Sequence, residues 1–382
     1  TLFELGRHEE AIACYRKAIE IDPHDVRTHV LLGKHFFELK QYDKAGPFYE
    51  RVLEIDDRHE EALGYLGMVR DAQDRPAEAV SLYRKALERN AKIPRRHVFL
   101  GMAYQKLGKL DDAIASFETA LTLDPRLAEA HIGIGLALEP TDLEKAIARF
   151  RKALDIDPHS PFALHSLGAA LGRKNHWDEA AVYLEKAIQR NPKYADPHFQ
   201  LGFAKLKKKD TAAAATHFAR ASELSPTFVD AHFQAGNAYA QLGEFAKAEP
   251  FLRRTIELNP KHGLAHSHLG FILNRRGKPK EAMGYLQAAA ALLPKDSGAQ
   301  FNLGLALEAD GQNDLAGAAY QRVIELNAQH ADAHRNLGQL HMTAGRFKEA
   351  LPLLKRGHAL GKQRPNWPDP AGKEVSACER LL

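Results

Sequence analysis

One pattern of small residues repeats along the whole chain with a period of 34 residues. An alanine recurs with this period, and from Ala45 onward a glycine stands twelve residues before it, except across one interval that is one residue shorter. Such self-similarity is typical of a solenoid, in which one unit cannot bury its apolar face alone and is stable only when packed on its neighbours. The chain is therefore one small unit repeated eleven times. The alanines are Ala11, Ala45, Ala79, Ala113, Ala146, Ala180, Ala214, Ala248, Ala282, Ala316 and Ala350, and the glycines are Gly33, Gly67, Gly101, Gly135, Gly168, Gly202, Gly236, Gly270, Gly304 and Gly338.

Each unit has the pattern of two amphipathic helices joined by a short turn. In the unit 94–127, apolar residues fall three and four positions apart at Leu100, Tyr104 and Leu107, and again in the second half. Gly108, between the halves, supplies the left-handed backbone that ends a helix. Proline then ends the second helix, because it disfavours helical backbone in the residue before it. The equivalent turn residues are Gly6, Asn175, Gly243, Gly277, Gly311 and Gly345, and the closing pairs include Asp22-Pro23, Asp124-Pro125, Asp157-Pro158, Asn191-Pro192 and Asn259-Pro260.

The unit resembles the tetratricopeptide repeat, because in 94–127 the residue types that mark this family stand at its spacing. The resemblance implies an all-α fold, a right-handed superhelical solenoid of tandem helix-turn-helix repeats with a concave groove that binds peptides or partner proteins. We expect a partial first repeat over 1–25, ten tandem repeats over 26–364, and a linker with a C-terminal capping helix over 365–382. The marker residues are Leu100, Gly101, Tyr104, Ala113, Phe117, Ala120 and Pro125.

Two segments depart from the period. The unit 128–160 is one residue short, and Glu139-Pro140-Thr141-Asp142 replaces its glycine turn, so we expect its helices to be joined differently. After the last repeat, Asp369 and Pro370 suit the N-cap and first position of a short helix. Trp367 would anchor this segment, and an apolar stripe would cover the last repeat, as terminal capping elements must. The stripe comprises Val375, Cys378, Leu381 and Leu382.

The balance of charge points to no particular class of partner. The chain has 53 basic and 49 acidic side chains, for a net charge of +4. Lys205, Lys207, Lys208 and Lys209 cluster, but they fall at a turn between helices, and a solvated turn is the simpler interpretation than a nucleic-acid patch. We therefore expect no nucleic-acid partner.

Nothing in the sequence indicates a membrane. No apolar stretch reaches 18 residues and no secretion signal opens the chain, so we expect no membrane partner and a cytoplasmic location. Cys14 and Cys378 are too far apart in a solenoid to pair, which fits a reducing compartment. Because Thr1 falls in the middle of a first helix, we expect the sequence to be a piece of a longer protein. The pattern does not fix the oligomeric state.

Histidine is abundant, with 20 copies, and seven of them occupy one position of the repeat. Zinc needs ligands that converge at about 2 Å, whereas equivalent positions of neighbouring repeats stand a helix pair apart. We therefore interpret the series as half-buried packing residues and expect no metal and no cofactor. Histidines buried in the neutral form must gain charge as the pH falls, so acid would weaken the array. The series is His29, His97, His131, His198, His232, His266 and His334.

Catalytic signatures fail once the motifs are placed on the helices. His8-Glu9-Glu10 and His59-Glu60-Glu61 lack the second histidine of a zinc protease motif, and Gly133-Ile134-Gly135 lies within a helix rather than after a strand. Of three nearby histidines, His262 ends a repeat, and His266 and His268 project in different directions from one helix, which disfavours a shared metal. No pattern suggests a nucleophile with a base, paired carboxylates or a phosphate loop. We expect that this segment is not an enzyme.

In the family, the first helix of each unit lines the concave face, so the residue two positions before each periodic glycine is informative. In the later units this position forms a ladder of side chains that hydrogen bond. It is similar to the asparagine ladder with which O-linked N-acetylglucosamine transferase holds a peptide backbone, and Asn302 and Asn336 match it residue for residue. The earlier units have Leu31, Tyr65, Phe99, Gly133 and Ser166, and the ladder comprises Gln200, Gln234, His268, Asn302 and Asn336.

Aromatic side chains accompany the ladder, one position before it or one position after the periodic glycine. They are either anchors for a peptide or residues that pack helices together, and their spacing allows both. As anchors they would have no internal partner, and we predict 196–336 as the binding stretch. Asn237 belongs to it, but Phe233 replaces the lysine of a chaperone-binding carboxylate clamp, so a chaperone tail is disfavoured. The aromatic residues are Phe199, Phe203, Phe233, Phe271 and Phe301.

The combined pattern predicts a scaffold that binds an extended peptide or a partner protein in its groove. A second interpretation is a partner-recruiting regulatory region of a larger enzyme, a serine/threonine kinase or an O-GlcNAc-type glycosyltransferase. The segment Leu351 to Arg364, with Trp367 and Cys378-Glu379-Arg380-Leu381, is similar to the closing segment of repeat regions attached to bacterial serine/threonine kinases. A third interpretation is an architectural spacer without a binding role.

Overall fold

Helices make up the secondary structure of this protein. The computed structural model describes residues 7–362, 364 and 370–382. Across these residues 22 helices follow one another with short turns and no strand occurs, which confirms the expected all-α repeat solenoid. The chain forms two units, unit 1 over Thr1–Pro192 and unit 2 over Lys193–Leu382. In each pair we name the first helix the A helix and the second the B helix.

In unit 1 every helix packs against the next one along the chain. The A helices are the even-numbered members of the series and the B helices are the odd-numbered ones. Their bounds are α1 His8–Ile21, α2 Val26–Glu38, α3 Tyr42–Ile55, α4 Glu60–Ala72, α5 Pro76–Arg89, α6 Pro94–Lys106, α7 Leu110–Leu123, α8 Ala128–Leu138, α9 Leu143–Ile156, α10 Pro161–Arg173 and α11 Trp177–Arg190.

Unit 2 has the same sequential packing. Its A helices are the even-numbered members up to α20, and the last helix packs on the B helix before it. The bounds are α12 Ala195–Lys207, α13 Thr211–Leu224, α14 Val229–Gln241, α15 Phe245–Leu258, α16 Gly263–Arg275, α17 Pro279–Leu292, α18 Ser297–Ala309, α19 Asn313–Leu326, α20 Ala331–Thr343, α21 Phe347–Gly361 and α22 Pro370–Leu381.

Neighbouring A helices approach each other more closely than neighbouring B helices. Contacts join α2 to α4 and α4 to α6 in unit 1, and α14 to α16 and α16 to α18 in unit 2. Among the described helices, no two B helices come together to a similar extent. Because stacked repeats form extended binding surfaces on the side where their elements lie closest, the A helices provide such a surface in each unit. We call it the A-helix surface.

The periodic glycines give room to large buried side chains of the B helices. A Cβ atom at Gly202 would lie 2.5 Å from Cε1 of Phe218, and one at Gly304 would lie 2.6 Å from Cε1 of Tyr320. The periodic alanine Ala214 is fully buried beside this contact. Small residues therefore let the two helices of a pair approach closely, which confirms the packing role expected from the period.

Left-handed backbone follows most A helices. Gly108 and Asn175 have φ values of 70° and 63°, as the sequence predicts, and Lys40 and Lys209 adopt the same conformation without a glycine or asparagine signal. The short unit differs as expected, because α8 has 11 residues and ends in right-handed backbone at Glu139. Of the predicted turn residues, Gly6 lies outside the described residues.

Hydrogen bonds from the periodic histidines close the loops between repeats. In five of the seven, Nε2 lies 2.9 to 3.1 Å from the carbonyl oxygen six residues earlier. An Nε2–H that donates to this carbonyl leaves Nδ1 unprotonated, and Nδ1 of His232 and His266 is buried without a hydrogen-bond partner among the described residues. The packing role is confirmed, and the loop hydrogen bond adds to it. The five are His29, His97, His232, His266 and His334.

The C-terminal helix α22 covers the last repeat with part of its predicted stripe. Cys378 is fully buried against Leu354, and Val375 packs beside it. Leu381 and Leu382 are 58% and 56% exposed, so their place in the stripe was wrong. The buried partners on α21 contact only the middle of α22, and its last turn lies beyond them. The predicted roles of Trp367 and Asp369 fall on positions outside the described residues.

The two thiols provide a test of this docked helix. Cys14 is exposed and Cys378 is buried, so we expect a thiol reagent such as 5,5′-dithiobis(2-nitrobenzoate) to modify one thiol in the native protein and both in denaturant. In the Cys14→Ser variant the fast reaction should disappear. Equal reaction rates of the two thiols under native conditions would show that α22 is not held against α21.

Candidate functional site

The A-helix surface of unit 2 carries the predicted ladder. Its five side chains lie on five successive A helices, and each is partly exposed. Because they occupy the same repeat position, they follow one another along the surface at the spacing of the A helices. The ladder members on α12, α14, α16, α18 and α20 are Gln200, Gln234, His268, Asn302 and Asn336 respectively.

The ladder divides into amides with and without a partner inside the protein. Asn302 Nδ2 lies 3.5 Å from Ser267 Oγ, and the side chain of Asn336 hydrogen bonds to Tyr320. The Tyr320 hydroxyl donates to Glu308 at 2.6 Å, and burial with this carboxylate raises the pKa of Tyr320. Three other amides of the predicted site form no side-chain hydrogen bond with any described residue, so their donors and acceptors are available to a ligand. They are Gln200, Gln234 and Asn237.

Three phenylalanines that precede the ladder pack on the start of the next A helix. Each ring centre lies 4.5 to 4.6 Å from that of the N-cap residue there, and Phe233 is only 9% exposed. Of the two alternatives for these three rings, peptide anchors without internal partners or residues that pack helices, the ring contacts favour helix packing. The partner comes from the following repeat, which the spacing within one helix does not reveal. The pairs are Phe199 with Phe228, Phe233 with His262, and Phe301 with His330.

The two aromatics that follow a periodic glycine differ from each other. Phe203 is half-buried, with its ring 5.1 Å from Phe218. Phe271 is 40% exposed, 6.3 Å from Phe245. Leu264 lies on the same face of α16 as Phe271 and is 42% exposed. It was not predicted, because only the ladder positions and the aromatic residues were considered. The residue four positions before each ladder residue lies on the same helix face, and an apolar residue there would have indicated this part of the surface.

Two exposed acidic side chains lie at the start of the A helices of unit 2. Asp196 and Asp230 lie exposed in the first turns of α12 and α14, and neither forms an ion pair with a described residue. Burial lowers the pKa of His268, and the nearby His262 lowers it further, so the ring is neutral near pH 7. A neutral imidazole has one donor and one acceptor nitrogen and so extends the amide ladder.

Unit 1 contains a cleft on its A-helix surface that the sequence reasoning did not find. It has a volume of about 730 Å³ and lies between α4 and α6. Tyr65 and Phe99, the ladder positions of these helices, line it together with Met68. Binding was predicted in 196–336 because polar side chains gather at the ladder positions there, and a cleft whose ladder positions are Tyr65 and Phe99 leaves no such signal.

Two further observations concern chemistry and membranes. Among the residues that the structure describes, no three histidine, cysteine, aspartate or glutamate side chains come together as a metal site would require. His262 and His268 both face the Phe233 ring, at 4.5 and 5.5 Å between ring centres. No helix in the described part of the chain is both long and apolar enough to cross a membrane.

Family profiles match most of the chain. A profile described as "TPR repeat" matches 1–40 and 101–139. Three profiles described as "Tetratricopeptide repeat" match 24–92, then 165–227 with 301–365, and 205–269. The chain belongs to the tetratricopeptide repeat family. No curated protein matches it.

Several solved structures are similar to this tetratricopeptide chain. One, titled as the functional characterization of Pseudomonas aeruginosa pilF, is 20% identical with a TM-score of 0.50, covering 54% of this chain and 95% of that one. YrrB, "a TPR protein with an unusual peptide-binding site", is 24% identical with a TM-score of 0.44, covering 52% and 99%. A chain of the APC/C hetero-tetramer Cut9-Hcn1 is 14% identical with a TM-score of 0.46, covering 99% and 94%.

Proposed function

We propose that this tetratricopeptide scaffold binds an extended segment of a partner protein along the A-helix surface of unit 2. The observation that carries the proposal is the face of α16, where Leu264 and Phe271 are both exposed although they belong to a helix of the stack. Large apolar side chains that remain open on such a surface favour contact with another protein. The ladder residue His268 lies between them.

The neighbouring helix α14 supplies the polar part of the proposed site. Gln234 and Asn237 lie three residues apart and share a face of that helix. An extended peptide has unpaired backbone N–H and C=O groups, and partner-free amides satisfy both kinds. The segment would therefore place apolar side chains against α16 and its backbone against the amides of α14. Phe199, Phe233 and Phe301 support the A helices from within rather than contacting the ligand.

The exposed apolar pair provides the decisive variant. We expect the double variant Leu264→Ala with Phe271→Ala to weaken peptide binding by about 2 kcal/mol per side chain, which is roughly 30-fold each, if both are anchors of the interface. Ligands would be selected from a displayed library of random peptides on the wild-type chain, synthesised with a fluorophore and measured by fluorescence anisotropy.

A matched control tests whether any exposed leucine would have the same effect. Leu315 is 57% exposed on the B helix α19, so Leu315→Ala should leave the affinity unchanged. The variant Gln234→Ala with Asn237→Ala should weaken the same peptides through their backbone. Circular dichroism would show that all variants keep the helical content of the wild type. Wild-type affinity in the Leu264, Phe271 double variant would exclude the proposed surface.

We further propose that this segment contributes binding rather than catalysis. Tetratricopeptide folds are scaffolds, and the A-helix surface of unit 2 gathers amides and apolar groups. Fusion to a kinase or a glycosyltransferase would make the same surface a partner-recruiting region. Sequencing the parent reading frame distinguishes the two cases, because a kinase encodes a glycine-rich loop and a catalytic aspartate outside this segment.

A further inference from the structure

The cleft of unit 1 lies beside a glycine where other repeats have a large side chain. Gly64 is three residues before the periodic Gly67 and lines the cleft between α4 and α6. In unit 2 this position holds phenylalanine in three repeats. Each of these rings packs on the N-cap residue of the next A helix, as described for Phe199, Phe233 and Phe301.

The surroundings of Gly64 match the surroundings of those rings. The ring of Phe233 has two partners, His262 at 4.5 Å and His268 at 5.5 Å, which are the N-cap and the ladder residue of α16. The same two positions on α6 hold Ile93 and Phe99, and both line the cleft. The cleft therefore lies where a phenylalanine of the chain stands in other repeats. Gly64 contributes no side chain to it, and the guanidinium of Arg96 forms the wall nearest to that position.

Rigid aromatic walls bound this volume. The ring of Phe99 stacks on that of Tyr83 with centres 6.1 Å apart, and both residues line the cleft. Tyr65, on the opposite helix, stacks on the buried Tyr49 at 5.5 Å. Rings held in this way offer edges and faces to a further aromatic ring without having to become ordered on binding.

The charged side chains around the cleft are paired within the protein. Arg96 donates to Glu60 at 2.8 Å, and Lys34 lies 3.7 Å from Glu61. Arg95 has Glu129 at 4.0 Å. Because both glutamates and both arginines of the rim are opposed by partners within the protein, an uncharged side chain complements the cleft better than a charged one, which would have to compete with these pairs.

We propose that this cleft binds the aromatic side chain of a phenylalanine or tyrosine from a partner protein. The partner's ring would take the place that Phe233 takes in its own repeat. The inference rests on the proposed function only for the class of partner, a peptide, since the residues involved belong to unit 1. It assigns a ligand chemistry to a surface that the ladder and the exposed pair on α16 do not include.

Methionine signals test the proposal without knowledge of the partner. The chain has 4 methionines, and Met68 lines the cleft. In protein labelled with ¹³C at the methionine methyl groups, we expect N-acetyl-phenylalaninamide to shift the Met68 signal in a saturable manner. N-acetyl-alaninamide, which lacks the ring, should not shift it, and Met283 and Met342 of unit 2 should not respond to either probe.

A larger side chain at position 64 should fill the cleft and abolish the shift of the Met68 signal. In Gly64→Phe the new Cβ would lie 3.3 Å from Nη2 of Arg96, the flexible end of a side chain, and the ring would enter the cleft. Gly64→Val is a smaller filler, since Val30 and Val98 occupy the same position in their helices. Gly284→Phe, at an open position of α17, is the matched control and should keep the wild-type response.

The result of the Met68 experiment does not depend on the result of the peptide-binding experiment on unit 2. A saturable Met68 shift with the phenylalanine probe that disappears in both Gly64 variants supports the proposal. No Met68 shift, an equal shift with the alanine probe, or an undiminished shift in a folded Gly64 variant would overturn it. Because the probe is a single amino-acid amide and the readout is in unit 1, failure of the Leu264, Phe271 variant leaves this result unaffected, and the reverse also holds.

Discussion

Replacement of Gly202 by leucine is expected to lower the free energy of unfolding of unit 2 by about 3 kcal/mol, at the upper end of typical overpacking costs. A Cβ atom alone would lie 2.5 Å from a ring carbon of the buried Phe218. That ring has no room to retreat, because Phe203 packs against it at 5.1 Å and Phe199 at 5.6 Å. The two helices of the pair would have to separate.

Urea denaturation followed by circular dichroism measures this effect. Gly284→Leu is the matched control, because a Cβ there meets no atom within 4 Å, and it should be at least as stable as the wild type, since leucine favours a helix interior over glycine. Gly202→Ala should give an intermediate loss, since only the Cβ clash remains. In an array of repeats the transition can lose its cooperativity, so the midpoint and the slope would both be compared. An unchanged midpoint for Gly202→Leu would contradict the packing role of the periodic glycines.

The fold could be predicted closely from the sequence because the same pattern of residues recurs in successive repeats and supports the same inference in each. A glycine opposite a large B-helix residue, a left-handed turn residue and a closing proline recur at fixed distances, so errors at one repeat are corrected by the others. The exceptions are local. Lys40 and Lys209 adopt left-handed backbone because the tight turn between two packed helices imposes it, whatever residue stands there. Tertiary packing overrides the residue preference at such positions.

The candidate site was less predictable, for a different physical reason. The spacing of Phe199 and Phe233 placed both on the right helices, yet their ring partners start the next repeat and are invisible to a pattern read along one helix. Exposure depends on such partners, so Phe271 stays open while Phe233 is covered. The cleft of unit 1 depends on an absent side chain at Gly64, which becomes informative only when repeats are compared position by position.

Acid is expected to destabilise unit 2 by roughly 3 kcal/mol between pH 7.5 and 4.5, summed over its histidines of lowered pKa. Burial lowers the pKa of His198 to about 4, and His217 and Arg220 contribute. The two histidines face each other with Nδ1 atoms 3.2 Å apart, so one proton joins them and a second would place like charges together. Burial lowers the pKa of His232 in the same direction, and that of His330 as well.

The direction of this pH dependence follows from the protonation of histidine in the folded and unfolded states. In the unfolded chain a histidine takes up its proton near pH 6.5, whereas folded His198 resists protonation until about pH 4. Its contribution to stability is therefore complete above pH 6.5 and is lost as the pH falls towards 4. Allowing for its partial exposure to solvent, His198 alone accounts for about 1 to 2 kcal/mol of the loss.

The chain itself shows which substitution isolates this effect. Leu63 and Leu164 occupy the position of the periodic histidines in their own repeats, and both are buried. The double variant His198→Leu with His232→Leu should therefore fold, and its urea midpoint should fall less between pH 7.5 and 4.5 than that of the wild type. Carboxylates titrate in both proteins, so the difference between them reports the histidines. An equal fall in both would assign the acid sensitivity to other groups, because leucine takes up no proton in either state and the variant would then have lost none of the pH dependence.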